Sequence, residues 1–169
     1  LGYSLVHPAQ LPLATLLADC DERRLRRSGP GGQHRNKVET AVVLLHRPTG
    51  LSAEANERRS QQQNRMVAVR RLRLRLAVEH RAVPADEPTP LWRQRSAGRK
   101  LSVSVEHDDY PALLAEALDH IARAGGDEAL AAEQLAVSRT QLVRLLSGEP
   151  AALNQLNAGR AARGLGPLR

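Results

Sequence analysis

From Ser60 to Val83 the chain contains neither glycine nor proline, and no other feature constrains its fold as strongly. Strands average about 5 or 6 residues, so a stretch of about 22 residues opened by Ser60 as an N-cap reads as a helix. Met66, Val67, Val69, Leu72, Leu74, Leu76 and Val78 supply its apolar side, and Arg65, Arg70, Arg71, Arg73, Arg75 and Arg81 are interleaved with them. The run RRLRLRLA alternates like a strand when taken alone. Length and capping decide for helix, so a long basic helix sits in the middle of the fold.

On the amino-terminal side, Leu13, Leu16 and Leu17 recur at helical spacing, and Asp21 to Arg27 reads as a charged, exposed strand. Ser28-Gly29-Pro30-Gly31-Gly32 stops regular structure. Val38 to His46 is β-branched and apolar, and the Arg47-Pro48-Thr49-Gly50 turn joins it to the alternating Leu51 to Ala55, which together form a β-hairpin. On the carboxy-terminal side, Pro84, Pro88 and Pro90 mark a linker, and Leu101 to Val105 reads as a short strand. Asp109 is placed to cap a helix running to Ala124, where Gly125-Gly126 end it. Further helices are expected over 127–136, 138–147 and about 150–163. The expected fold is α+β: a small sheet with the long basic helix, then a small all-α domain. The domains are 1–82, a linker at 83–106, and 107–169.

Composition narrows the function. There are 25 Lys+Arg against 18 Asp+Glu, a net charge of +7 and a pI near 10.8. The charge is uneven: residues 1–107 hold 19 basic and 10 acidic side chains, and residues 108–169 hold 6 and 8. The first part suits a polyanion and the second does not. Only Lys37 and Lys100 are lysines; the arginine fork suits phosphate and stacked bases, although GC-rich coding also produces such a preference. No apolar run approaches the roughly 18 residues of a membrane-spanning helix, and the lone Cys20 has no Cys or His at ligand spacing, so it reads as buried filler rather than nucleophile or metal ligand. With Tyr3, Trp92 and Tyr110 as the whole aromatic set, the core is aliphatic and a stacking platform for single-stranded RNA is not expected. Leu1 is not an initiator methionine, which leaves the native N-terminus and a targeting peptide open.

The chemistry is concentrated in RRSGPGGQHRNK, Arg26 to Lys37. Glycines there let backbone approach a ligand, and Arg26, Arg27, Arg35 and Lys37 can hold a phosphodiester chain. A Walker A loop needs Gly-Lys-Ser/Thr opening a helix, and a dinucleotide fingerprint needs GxGxxG between strand and helix. Neither spacing occurs, because Gln33-His34-Arg35-Asn36-Lys37 follows and then a strand.

Over about residues 19 to 82 the sequence resembles the catalytic domain of class I peptide chain release factors and their codon-independent ribosome-rescue relatives. The residues that carry the resemblance are Gly31-Gly32-Gln33 followed by Asn36-Lys37, the hairpin with its Pro48-Thr49-Gly50 turn, and Arg59-Ser60-Gln61 with Asn64 leading into a basic helix. Pro30 in SGPGGQ resembles some rescue members more than decoding factors, where alanine is frequent.

The resemblance implies a peptidyl-tRNA hydrolase, active on the ribosome without a cofactor or metal, that cleaves the ester between nascent peptide and tRNA. Gly31, Gly32 and Gln33 are then catalytic. The Gln33 backbone N–H donates to the developing oxyanion or to the ribose hydroxyl, its amide orders the water, and the two glycines enter where a Cβ would clash. His34 reads as a loop-stabilising or RNA-contacting residue rather than a general base. Arg26, Arg27, Arg35 and Lys37 read as RNA-backbone contacts and Asn36 as a loop-ordering amide. Arg59, Ser60, Gln61, Asn64 and Arg65 are candidates for RNA contact, with a structural reading open for each, Ser60 as a helix cap among them.

The implied partners are the large-subunit peptidyl transferase centre, ribosomal RNA and P-site peptidyl-tRNA, with a glutamine methyltransferase acting on Gln33 as in some relatives. A monomer without a membrane partner is expected, in the bacterial cytoplasm, with an organelle left open. The residues before Asp19 are too few for the codon-reading and helical regions of decoding factors, so codon-independent rescue is the expectation. The alternative is a non-hydrolytic ribosome-binding or rRNA-binding factor on the same fold. Residues 148–169 contain only Arg160, Arg163 and Arg169, unlike the basic tail of better-known rescue relatives.

Glu128 to Gly148 resembles a helix-turn-helix, with Thr140, Gln141 and Arg144 toward a groove. The competing reading is a packing unit with Leu130, Leu135, Leu142, Val143, Leu145 and Leu146 as core, which the acidic balance favours. Trp92, close to Arg93 and Arg95, reads as a packing residue before it reads as a base-stacking one.

Overall fold

The computed structural model describes residues 6–25 and 40–169. A 3-10 turn, Pro8–Gln10, precedes α1 (Leu13–Ala18) and β1 (Cys20–Leu25). β2 (Ala41–His46) and β3 (Ser52–Ala55) follow, and then α2 (Gln61–Glu79). The chain forms two compact units, one of Leu11–Leu76 and one of Leu1–Gln10 with Ala77–Arg169. Helix α2 belongs mostly to the first and ends in the second.

In the first unit, the apolar β2 is the middle strand of an antiparallel sheet ordered β1-β2-β3. Being central, it is buried at Ala41, Val42 and Leu44, while β1, at the edge, carries Asp21, Arg23, Arg24 and Leu25 on the surface. The register pairs Cys20 with His46 and Leu25 with Ala41 on one side, and Val42 with Ala55 on the other. The turn into β3 closes as the sequence predicts: Gly50 takes a φ of 71° and donates to the His46 carbonyl at 2.9 Å, while His46 Nδ1 meets Thr49 Oγ1 at 2.8 Å. Along α2, Ala68, Val69, Leu72 and Leu76 are buried. That spacing of one, four and eight is helical, and it settles the strand-like RRLRLRLA as helix.

In the second unit, α3 (Pro90–Arg95) is capped by Thr89, whose Oγ1 accepts from Trp92 N–H at 3.2 Å. A hairpin of β4 (Ser96–Ala97) and β5 (Lys100–Leu101) follows, and then α4 (Tyr110–Arg123), α5 (Glu128–Gln134), α6 (Arg139–Ser147) and α7 (Pro150–Ala162). Every residue of α4 from Tyr110 to Ile121 is buried, because α5, α6 and the Pro8–Gln10 turn all pack on it. Leu113, Leu114, Leu135, Leu142 and Leu146 form the centre.

Five expectations are corrected here. The segment 83–106 is folded into the second unit rather than linking two domains: Trp92 is 0% exposed and its Nε1 donates to the Leu135 carbonyl at 2.9 Å. The compact units therefore part within α2, not at 82/83. The strand expected over Leu101–Val105 stops at Leu101, since β5 pairs only with the two residues of β4. Asp109 makes no side-chain cap; its carboxylate is taken by Arg95, at 2.9 Å from Nε and 2.6 Å from the terminal nitrogen. Leu130 is 44% exposed and outside the core.

Candidate active site

Residues 26–40 leave the sheet at Leu25 and return at Ala41, which are antiparallel partners. The sheet therefore holds the two ends of this segment side by side, which is what a presented loop needs. Arg26, Arg27, Gly31, Gly32, Gln33, His34, Arg35, Asn36 and Lys37 lie outside the described residues.

The return strand is anchored by Asn64. This side chain is 0% exposed; its Nδ2 donates to the Thr40 carbonyl at 2.7 Å and the Arg58 carbonyl at 2.9 Å, and its Oδ1 accepts Arg58 N–H at 2.8 Å. A primary amide is the side chain that supplies two donors and an acceptor at one point. One residue thus ties the start of α2 to the approach to that helix and to the residue just before β2. The geometry gives Asn64 the structural one of its two readings: a fully buried amide with both ends engaged does not reach RNA.

Ser60 caps α2, its Oγ accepting Gln63 N–H at 3.4 Å, and stays exposed. Arg59 is exposed and makes no side-chain hydrogen bond or ion pair among the described residues. Arg65 crosses to β1, its Nε 2.7 Å from Glu22 Oε2, while Arg24 approaches the other oxygen of Glu22 at 3.6 Å. With Gln61 and Gln62 these three line an open polar cleft beside the strand that leads into the loop. Of the residues singled out from the sequence, Gln61 and Arg65 line this cleft, and Arg59 does not. Arg24, exposed on β1, joins them, while its neighbour Arg23 is exposed on the opposite face of the strand. The charged run Asp21 to Arg27, read as an exposed strand, was the available signal.

The other arginines of α2 are largely occupied. Arg71 bonds the Glu54 carbonyl at 2.7 Å and grips Glu57 through both terminal nitrogens at 2.7 and 3.2 Å. Arg73 donates to the Leu11 carbonyl and Arg75 to the Ser52 carbonyl, at 2.7 and 2.6 Å. Against the cost of partial burial, the backbone N–H groups of Glu57 and Asn56 together with Arg71 hold the Glu57 carboxyl below its ordinary range. These bonds use the arginine fork to satisfy strand-end carbonyls, so much of the helix's charge serves the fold. Cys20 is half-buried, its thiol donates to the Leu16 carbonyl at 3.2 Å, and burial pushes its pKa up, which keeps it protonated and unreactive.

Among the described residues no group of three or more His, Cys, Asp or Glu could hold a metal ion, and no helix is long and apolar enough to cross a membrane. The cleft beside β1 is lined by polar side chains: the Arg24 and Arg65 guanidiniums, the Gln61 and Gln62 amides and the Glu22 carboxylate.

A family profile described as RF-1 domain matches residues 16–106. Peptide chain release factor 1 of Streptococcus pyogenes serotype M5 is 43% identical over 74 residues, covering 41% of this chain and 21% of the relative. An uncharacterized mitochondrial peptide chain release factor-like protein of Saccharomyces cerevisiae is 40% identical over 91 residues, 52% of this chain and 59% of its own. The mitochondrial peptide chain release factor 1-like protein of Mus musculus is 40% identical over 76 residues, 45% of this chain and 20% of its own. The chain spans 21% of the bacterial release factor it matches and 59% of the yeast protein.

Proposed function

Since the chain belongs to the RF-1 domain family, we propose that it is a codon-independent peptidyl-tRNA hydrolase acting on stalled ribosomes. The observation that carries this reading is the Gly31-Gly32-Gln33 sequence with Asn36-Lys37, inserted between antiparallel partners Leu25 and Ala41 in a chain matched across residues 16–106.

In this reading, Gln33 works by position. Its backbone N–H donates to the oxyanion that develops as the ester is attacked, or to the ribose hydroxyl that departs, and its side-chain amide orders the attacking water. Gly31 and Gly32 carry no Cβ into the peptidyl transferase centre. Arg26, Arg27, Arg35 and Lys37 contact RNA, His34 stabilises the loop or contacts RNA, and Asn36 orders the loop. Arg59, Gln61 and Arg65, with Arg24, extend the RNA contact, with Ser60 holding the helix end. Asn64 positions the loop's return. Gln33 is also the residue a glutamine methyltransferase would modify. No cofactor enters this mechanism.

Codon independence is supported by the SGPGGQ spelling, which resembles rescue members. The test is peptide release from ribosomes carrying an empty, a sense or a stop codon in the decoding site. Equal release from all three is expected; release confined to the stop codon would refute the rescue reading. Tight ribosome binding without release would favour the non-hydrolytic alternative.

A further inference from the structure

The acidic balance of residues 108–169 argues against a polyanion partner there, but the fold withdraws much of that acidity. Of the eight Asp and Glu in this range, Glu116, Asp119 and Glu128 are buried, Asp109 is held by Arg95, and Asp127 caps α5 through Ala129 and Leu130 N–H. Asp108, Glu133 and Glu149 remain.

Basic groups collect at one place instead. The β4 and β5 strands pair Ala97 with Lys100, so Gly98 and Arg99 form a two-residue turn, with φ of 53° and 65°. Two positive φ values in succession are the type I′ hairpin turn, and the second is disfavoured for arginine by sterics alone. The conformation is held from outside. Ser138 N–H donates to the Arg99 carbonyl at 2.9 Å, the Arg99 guanidinium to the Val137 carbonyl at 3.3 Å, and Leu101 N–H to Gln141 Oε1 at 3.2 Å. The hairpin tip is thereby fastened to the turn between α5 and α6. That turn has the helix-turn-helix form: Ala136 at a φ of 54°, then Ser138 capping α6 through Gln141 N–H at 3.2 Å.

Helix α6 buries Leu142, Leu145 and Leu146 and exposes Thr140, Arg144 and Ser147, the spacing of one outer face. Arg144 and Lys100 make no ion pair among the described residues. At the start of α6, Arg139 shares buried Glu128 with Arg160 and Arg163, three guanidiniums on one carboxylate, which leaves positive charge in excess.

We propose that the β4–β5 tip and the outer face of α6 form a second nucleic-acid surface, which binds the phosphate backbone of duplex RNA through Arg99, Lys100, Thr140 and Arg144. The major groove of A-form RNA is too narrow for side chains to read, so α6 lies across the backbone and shallow groove and recognises shape, not sequence. The surface stands on the geometry of this unit; the choice of RNA over DNA rests on the ribosomal function proposed above.

The test uses the full chain, a fluorescent 20-base-pair RNA duplex and a DNA duplex of the same sequence, titrated across salt concentrations. The triple variant Arg99→Gly, Lys100→Gln, Arg144→Gln keeps a residue suited to the left-handed turn and removes three charges, and its thermal unfolding checks that it is folded. RNA affinity should fall about tenfold near 0.1 M salt, and the salt dependence should become shallower by about 2 to 3 in log–log slope. Unchanged affinity and slope would overturn the proposal. So would preference for the DNA duplex, or weakened ribosome association with RNA binding intact, which would mean that the surface meets a protein. Peptide release by Gln33→Ala reports on the proposed hydrolysis alone, so the two ideas fail separately.

Discussion

Replacing Asn64 by alanine tests the loop anchor directly. The substitution removes three hydrogen bonds of 2.7 to 2.9 Å and strands the Thr40 carbonyl, the Arg58 carbonyl and the Arg58 N–H. Each buried group left unsatisfied costs about 1 to 3 kcal/mol. Arg58 is exposed and Thr40 half-buried, so water recovers part of each loss and the low end applies, about 3 kcal/mol in total. In a chain of this size about 1 kcal/mol lowers Tm by roughly 2 to 4 °C, which predicts a fall of about 6 to 12 °C by circular dichroism. Ser60→Ala removes a long cap bond of 3.4 Å and should cost about 0.5 to 1 kcal/mol. Peptide release by Asn64→Ala, measured well below its Tm, should also fall at least about tenfold, because Thr40 closes the segment that carries Gln33 and small misplacements of reacting groups are costly. A Tm shift under about 2 °C would refute the hydrogen-bond accounting. A large shift with release unchanged would show that the anchor serves stability alone.

Three further outcomes follow from the second unit. Burial raises the Asp119 carboxyl to about 7 from 3.8, against the Ala82 N–H and Arg81 that favour its charged form and with Glu116 adding to the rise; the folded chain then keeps a proton the unfolded chain has lost, so this stability is full below about pH 4 and fades as pH rises toward 7. Wild-type stability should therefore decline relative to Asp119→Asn across that window, and a constant difference between their urea-unfolding curves would contradict the assignment. Trp92→Phe strands the Leu135 carbonyl and should cost about 1 to 2 kcal/mol, while the emission of native Trp92, at 0% exposure, should stay blue-shifted and unmoved by added ribosomal RNA; quenching by RNA would restore the stacking reading. Glu128→Gln leaves the buried Arg160 guanidinium without its counter-charge, a loss of about 3 to 5 kcal/mol that chemical denaturation would show, whereas a loss under about 1 kcal/mol would mean that Arg139 and Arg160 find other partners.

The elements were legible wherever local signals sufficed. The hairpin announced itself through Pro48-Thr49-Gly50, α2 through its uninterrupted length, and α6 through Ser138. What escaped depended on partners distant in sequence. Trp92 turns an apparent proline-rich linker into packed structure because Leu135 offers a carbonyl to its ring nitrogen. Asp109 has the right residue type for a cap, and Arg95 claims it. The sequence showed α2 only as a basic helix, and the strand and loop carbonyls that Arg71, Arg73 and Arg75 reach become visible only once the sheet is placed beside them. Charge arithmetic failed for the same reason in the carboxy-terminal part, since it counts Glu116, Asp119 and Glu128 as though they met solvent. The loop motif was legible as a motif, and its base, Leu25 paired with Ala41, follows from the strands that flank it.

The proposed hydrolysis rests on Gln33 acting within the ribosome. Single-turnover release of labelled peptide from purified stalled ribosomes, with free peptidyl-tRNA as a parallel substrate, tests it most directly. Release by the wild-type chain on ribosomes only, and its loss in a Gln33→Ala chain that still binds them, is the predicted result; equal release by both chains, or efficient hydrolysis of free peptidyl-tRNA, would contradict it.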